Sequence, residues 1–226
     1  MKKLIQGIAD FRHKVLPGYR ETFARLAIEQ KPDVLFVACS DSRVVPNLFA
    51  STDPGDLFVV RNVGNLIPPC GSGGISESDE SEPAAIEFAL ERLKVSDVVV
   101  CGHSECGAMH AIWDGRKKVP LPHLKSWLRH GERAAEELRA GGTFNPALSR
   151  PNELSQLNVL RQLDHLRSYD VVQERVRTGG LRLHGWWFDI GHADVYAYEE
   201  ESRKFVLIDD AEARRILKQL EASAPA

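Results

Sequence analysis

The sequence predicts an α/β fold, a mostly parallel central sheet flanked by helices and finished by an antiparallel edge. Three observations carry that expectation. Val34 to Ala38 and Asp97 to Cys101 are apolar runs with no helical spacing of polar positions, the pattern of strands buried on both faces. Between them, Ala85, Ile86, Ala89, Leu90 and Leu93 recur at helical spacing behind Pro83, which suits a first helical turn. Strand, helix and strand then make a βαβ unit that should be right-handed. Near the end, Leu181 to Asp189 reads as a strand, and Val195 to Tyr198 with Phe205 to Ile208 as an antiparallel hairpin beside it.

The remaining elements follow in order. Leu4, Ile5, Ile8, Phe11 and Val15, then Phe23, Leu26 and Ala27, mark two amphipathic helices separated by Pro17-Gly18. The first helix has no strand before it in its own chain, so its apolar face packs either on its own domain or on another subunit. Val45 to Phe49 reads as a short helix, and Asp53-Pro54-Gly55-Asp56 as a turn into a strand over Leu57 to Val60. Cys70 to Glu82 is rich in Gly, Ser and acid but has neither phosphate-loop glycine spacing, so it reads as a mobile acidic surface loop. Leu124, Trp127, Leu128 and Leu138 mark one packing helix, and Leu154, Leu157, Leu160, Leu163 and Leu166 another. The leucine stripe is too short for a coiled coil and reads as core.

Composition limits the function. The 226 residues suffice for one substantial core and no linker divides them, so residues 1–226 are expected to form a single domain. With 29 basic and 32 acidic residues scattered along the chain and a net charge of -3, there is no basic stripe for nucleic acid or anionic lipid. A small substrate is the expectation. Gln6, Asp10, Arg12 and His13 interrupt any signal-peptide core. No stretch approaches the roughly 20 apolar residues of a membrane span. Four cysteines, two of them wanted as metal thiolates, fit a reducing cytoplasm better than a disulfide framework.

The chemistry concentrates at two strand ends. Cys39-Ser40-Asp41-Ser42-Arg43 follows the first buried run, and Gly102-His103-Ser104-Glu105-Cys106-Gly107 follows the second. In open α/β sheets ligands bind beyond the carboxyl ends of the strands. Cys39, His103 and Cys106 supply three soft or borderline ligands, with Asp41 as a fourth in a closed state, an inventory that suits one zinc per chain. An exchangeable fourth position would make the zinc catalytic. A closed structural site with Asp41 permanently bound, or two core cysteines beside a surface histidine, would use the same residues. His103-Ser104-Glu105 also matches the H-x-E signature of zinc deaminases, but the P-C-x-x-C those enzymes need is absent, and Glu105 then reads as helix-start decoration. A zinc-stabilised binding module or thiol redox sensor is the non-enzyme alternative. The other histidines, His184 and His192 among them, have no ligand spacing and read as structural or solvated.

Cys39-Ser-Asp-Ser-Arg43, followed downstream by His103-Ser-Glu-Cys106-Gly107, resembles the metal site of the β-class carbonic anhydrases. The likeness continues through Gln30, Pro54 to Asn62, Ala84 to Leu93 and His184-Gly185-Trp186, over roughly residues 4 to 208. It implies reversible hydration of carbon dioxide to bicarbonate and a proton, by a hydroxide on zinc oriented by Asp41 and Arg43. It also implies a homodimer or higher homo-oligomer into which the N-terminal helices extend, with Gln30, Phe58, Val63 and Phe88 lining a substrate pocket completed by the other subunit's zinc site, and Gly107 beside it. Many relatives carry tyrosine where Phe88 stands, so a hydroxyl is missing here. Members that close the site with aspartate and store bicarbonate nearby tend to carry Trp three residues before the first cysteine and Gly one before it. Phe36 and Ala38 occupy those positions here. The resemblance therefore implies no stored bicarbonate and an Asp41-Arg43 pair that persists near neutral pH.

Overall fold

The computed structural model describes residues 1–71, 73, 75–76 and 80–222. Six strands, β1 (Val34–Cys39), β2 (Leu57–Asn62), β3 (Asp97–His103), β4 (Arg182–Asp189), β5 (Asp194–Glu199) and β6 (Lys204–Leu207), form one sheet in the order β2-β1-β3-β4-β5-β6. The first four are parallel and the last two antiparallel, as the apolar runs and the terminal hairpin lead one to expect. Leu35 to Cys39 of β1 and Val98 to His103 of β3 are buried, which is why neither strand alternates. From β1 the chain moves to β2 on one side and then crosses to β3 on the other. The carboxyl ends of β1 and β3 therefore flank a topological switch point, where such sheets open a crevice for ligands.

The N-terminal expectation needs correction. Helix α1 (Lys2–Asp10), a wider π-helical segment (Phe11–Val15) and α2 (Leu16–Leu26) follow one another without interruption by Pro17-Gly18. Pro17 has no N–H to give the turn before it, and the helix absorbs the missing bond by widening over Phe11–Val15. Neither helix buries a residue, so Leu4, Ile5 and Ile8 face away from the rest of the chain.

Short helix α3 (Pro46–Phe49) leads to β2, and α4 (Ser81–Glu87), continued by a π-helical turn over Phe88–Arg92, leads to β3. Within the acidic stretch expected over Cys70 to Glu82, positions 72, 74 and 77–79 lie outside the described residues. After β3 come α5 (Gly107–Trp113), α6 (Pro122–Trp127), α7 (Glu132–Arg139) and α8 (Arg150–Leu166). The single helix expected from Leu124 to Leu138 is thus two helices joined by a 3-10 turn, Leu128–Gly131. Gly131 packs so closely there that a Cβ would lie 2.7 Å from Ile112 Cδ1. Leu154, Leu157, Leu163 and Leu166 of α8 are buried, so the leucine stripe is core. The runs and stripes marked from sequence did not include α9 (Asp170–Arg177) or α10 (Asp210–Ala222); the first buries Val172 and the second buries no residue.

At the amino ends of β3 and β4, the Asp97 carboxylate accepts hydrogen bonds from Arg182 Nε and Nη2 and from His184 Nε2, each at 2.8 Å. Burial alone would raise Asp97, but the bonds from His184, Arg182 and Ser96 outweigh it and hold the carboxyl well below the usual range. A depressed folded value stabilises the native state fully above the unfolded pKa of about 4, and the contribution is lost as pH falls through the folded value. Asp97→Asn is expected to lower the unfolding free energy at pH 7 by about 2 kcal/mol. In urea titrations the difference between pH 7 and pH 3 should shrink in the variant; an unchanged difference would remove Asp97 from the acid response.

Candidate metal centre

Parallel pairing of β1 with β3 places Cys39 and His103 at neighbouring strand ends. The chain then turns through Glu105 in the left-handed region, φ +53°, and reaches Cys106 as the residue before α5. Cys39 Sγ, a ring nitrogen of His103 and Cys106 Sγ all lie within 4.8 Å of one another, and all three residues are buried. His103 Nδ1 is 2.8 Å from the carbonyl oxygen of Ser104, which can only accept, so Nδ1 carries the proton. Nε2 is left with its lone pair, buried and without a hydrogen-bond partner.

The two sulfurs influence each other's ionisation. The neighbouring Cys106 thiol pulls the Cys39 thiol down against the opposing effect of burial, with the Gly64 N–H assisting. The same contact, together with burial, pushes the Cys106 thiol up. A buried imidazole lone pair facing two such sulfurs fits a dication that takes tetrahedral N and S ligands, and zinc matches that donor set. Next to it, Asp41 and Arg43 form a bidentate pair, Arg43 Nε to Oδ1 at 2.9 Å and Nη2 to Oδ2 at 2.8 Å. The hydrogen bonds from Arg43 hold the Asp41 carboxyl well below the usual carboxylate range.

Groups that the sequence did not single out hold this pair in place. Arg61 Nε donates to the Cys39 carbonyl at 3.0 Å and Nη2 to that of Asp41 at 2.6 Å, fixing the turn between ligand and dyad. Arg43 Nη2 also donates to the Glu105 carbonyl at 3.1 Å, linking the two motifs. Glu105 is not helix-start decoration: its N–H donates to Asn152 Oδ1 at 2.8 Å, and its carboxylate accepts from Asn152 Nδ2 at 2.9 Å. An arginine in an otherwise apolar strand was a signal for Arg61. Nothing local marked Asn152, which reaches the site from α8.

The other residues named from sequence lie on several elements, with Phe58 beside Leu35 near the amino end of β2 and Phe88 directly after α4. Gly107 opens α5 beside Cys106, and a Cβ there would meet nothing within 4 Å, so the space is open. Phe58 and Phe88 stack with ring centroids 5.8 Å apart. Val63 is 43% exposed, and Gln30 lies exposed on the connection from α2 to β1. Phe36 and Ala38 are fully buried in apolar core, Phe36 with its ring 5.9 Å from that of Trp186.

A Cys-His-Cys centre that could hold a metal, with an Asp-Arg pair at the switch point of a mostly parallel sheet, defines a class of α/β enzyme. Comparison with known proteins agrees. Residues 34–195 match the family model described as carbonic anhydrase. The carbonic anhydrase of Pseudomonas aeruginosa is 40% identical over 219 residues, covering 96% of each chain. The solved β-carbonic anhydrase CcaA has a TM-score of 0.83 at 36% identity, covering 92% of this chain and 98% of that one. Tetrameric β-carbonic anhydrases of Sordaria macrospora give a TM-score of 0.74 at 29% identity, covering 87% and 95%. The chain belongs to the β-class carbonic anhydrases.

Proposed function

We propose that the chain catalyses reversible hydration of carbon dioxide to bicarbonate and a proton, as one catalytic domain with one zinc held by Cys39, His103 and Cys106. The observation that carries the proposal is the bare, buried Nε2 of His103 facing two sulfurs beside an Asp41-Arg43 pair that a purely structural site does not need. Zinc bound there supplies Lewis acidity that lowers the pKa of water to a value useful at neutral pH. The protein's residues do the rest. Arg43 engages both Asp41 oxygens and so keeps the carboxylate from serving as a fourth ligand. Asp41, ionised at all working pH values, accepts a hydrogen bond from the reacting water and aims its lone pair at the substrate carbon. Open space at Gly107 leaves room for a small linear substrate.

Phe36 and Ala38 support the open state. Phe36 has no indole N–H to offer an anion, and the Ala38 methyl fills space that glycine would leave, so no bicarbonate competes for the dyad. A crystal structure of the zinc form near neutral pH is expected to show Asp41 on Arg43. An Asp41 oxygen at about 2.0 to 2.2 Å from the metal, carboxylate bonding distance, would contradict this. Stopped-flow assays separate the enzyme from its non-enzyme alternative: acceleration of carbon dioxide hydration supports the proposal, whereas zinc without acceleration supports a binding or redox-sensing role. Among the described residues no helix is long and apolar enough to cross a membrane. Buried thiols at Cys39, Cys101 and Cys106 suit a reducing compartment, and we place the enzyme in the cytoplasm.

Its working form is a homodimer or larger. Helix α1 exposes Leu4, Ile5 and Ile8 with Lys2 and Lys3 beside them. At the amino ends of the strands, away from the metal centre, lies a cavity of about 650 Å³ lined by apolar Val34, Phe36, Leu57 and Trp186 and by acidic Glu199 and Glu212. A partner's α1 matches its apolar wall, Glu199 and Glu212 being already paired with Arg215 of the same cavity, and the Sordaria relatives are tetrameric. Gln30, Phe58, Val63 and Phe88 would then line a pocket completed by the partner's zinc site. Inactive Cys39→Ser chains mixed with inactive Gln30→Ala chains should recover some activity once subunits exchange. Sedimentation of an Ile5→Asp, Ile8→Asp double variant should show a smaller species; an unchanged mass would exclude α1 from the interface.

A further inference from the structure

We infer that Trp127 is a positioning residue for the Cys39 thiolate, acting through the peptide that joins Val63 to Gly64. The inference rests on the metal centre proposed above. That peptide is trans and planar, so its carbonyl and its N–H point in opposite directions and turn together. Trp127 Nε1 donates to the Val63 carbonyl at 2.8 Å, and the Gly64 N–H donates to Cys39 Sγ at 3.3 Å. One side chain and one thiolate thus clamp the two ends of a single peptide unit.

The clamp is needed because Gly64 is conformationally free. It sits at φ +88°, and a Cβ there would lie 2.9 Å from that of Ala108, two residues beyond Cys106. Only glycine fits, and glycine by itself sets no preferred plane for the peptide. Neighbouring residues fix the loop further along: Asn158 Nδ2 lies 3.4 Å from the Gly64 carbonyl, and Gln162 Oε1 accepts the Ile67 N–H at 2.7 Å. The peptide before Gly64 is set by Trp127, which is half-buried with its ring edge-on to His130 at 5.4 Å.

The functional consequence follows from charge donation. Two thiolates neutralise a bound dication more than imidazoles do, which weakens its pull on water. An N–H directed at one sulfur draws electron density back and restores part of that pull. Trp127→Phe keeps the ring and removes the donor. In cobalt(II)-substituted protein, the sulfur-to-metal charge-transfer band is expected to move to longer wavelength in the variant. Zinc affinity, measured against a chelator, is expected to fall roughly tenfold.

Leu124→Ala, which removes packing from the same helix, should lower the melting temperature without moving the band. An unmoved band in Trp127→Phe, or an equal shift in Leu124→Ala, would overturn the inference. A measurement on the unmodified chain guards against a variant that fails to fold: protein loaded with cadmium-113 should show scalar coupling from the metal to the Gly64 amide proton. Absence of that coupling would overturn the inference while leaving the metal centre intact. Failure of the unmodified chain to bind cobalt with a thiolate band would overturn the metal centre, and the inference with it.

Discussion

Cys106→Ser is expected to lose most of its zinc and all useful hydration activity. The substitution is nearly isosteric at a site 1% exposed, so the fold should survive. What changes is the ligand: a serine hydroxyl stays protonated at neutral pH and offers zinc neither the charge nor the softness of a thiolate. Removing one of three protein ligands also leaves Cys39 and His103 on two strand ends with no third donor to close the shell. Metal analysis and stopped-flow hydration on the same sample check this. Full zinc with an undiminished rate would sink the ligand assignment.

Asp41→Asn is expected to lower the hydration rate about 100-fold or more at unchanged zinc content. Asparagine keeps the shape but loses the charge that pairs with Arg43, and its amide hydrogens compete for the position in which Asp41 accepts a bond. Because Arg43 holds the carboxyl well below its usual range, Asp41 stays ionised as pH falls towards the mildly acidic region. Acid loss of activity between pH 8 and 6 should therefore persist in shape, though not in height, in Asp41→Asn. A variant with wild-type rate and full zinc would reduce the dyad to an ordinary strand-end ion pair.

Much of this was legible in the chain because the informative interactions are local. Cys39, Asp41 and Arg43 stand within five residues, and His103 and Cys106 within four, each group directly after an apolar run that can only be a buried strand. The Asp41-Arg43 pair needed only a turn to form. Less legible were interactions that cross the fold. Asn152 reaches Glu105, and Trp127 reaches the Val63 carbonyl, over 47 and 64 positions of sequence. Neither residue type advertises such a bond. Arg61 was visible as a charge in an apolar strand, but its targets are backbone carbonyls, which no side-chain pattern reveals.

Element boundaries failed for a similar reason. Pro17-Gly18 has the composition of a break, yet the helix runs on because the widened turn at Phe11–Val15 accommodates the ring and the missing N–H. Gly131 looked like one residue of a longer helix, but its contact with Ile112 depends on where α5 packs. Helix α10 follows the last strand and buries no residue, so nothing in the reading of the core required it.

The central claim is that hydration depends on one zinc per chain at the Cys39, His103 and Cys106 centre. Titration of metal-free protein with zinc, followed by the initial rate of carbon dioxide hydration, tests it most directly. The rate should rise linearly and break at about one equivalent per chain, the stoichiometry of a single catalytic site. A rate no greater than that of protein-free buffer at saturating zinc, or a full rate before any zinc is added, would contradict it.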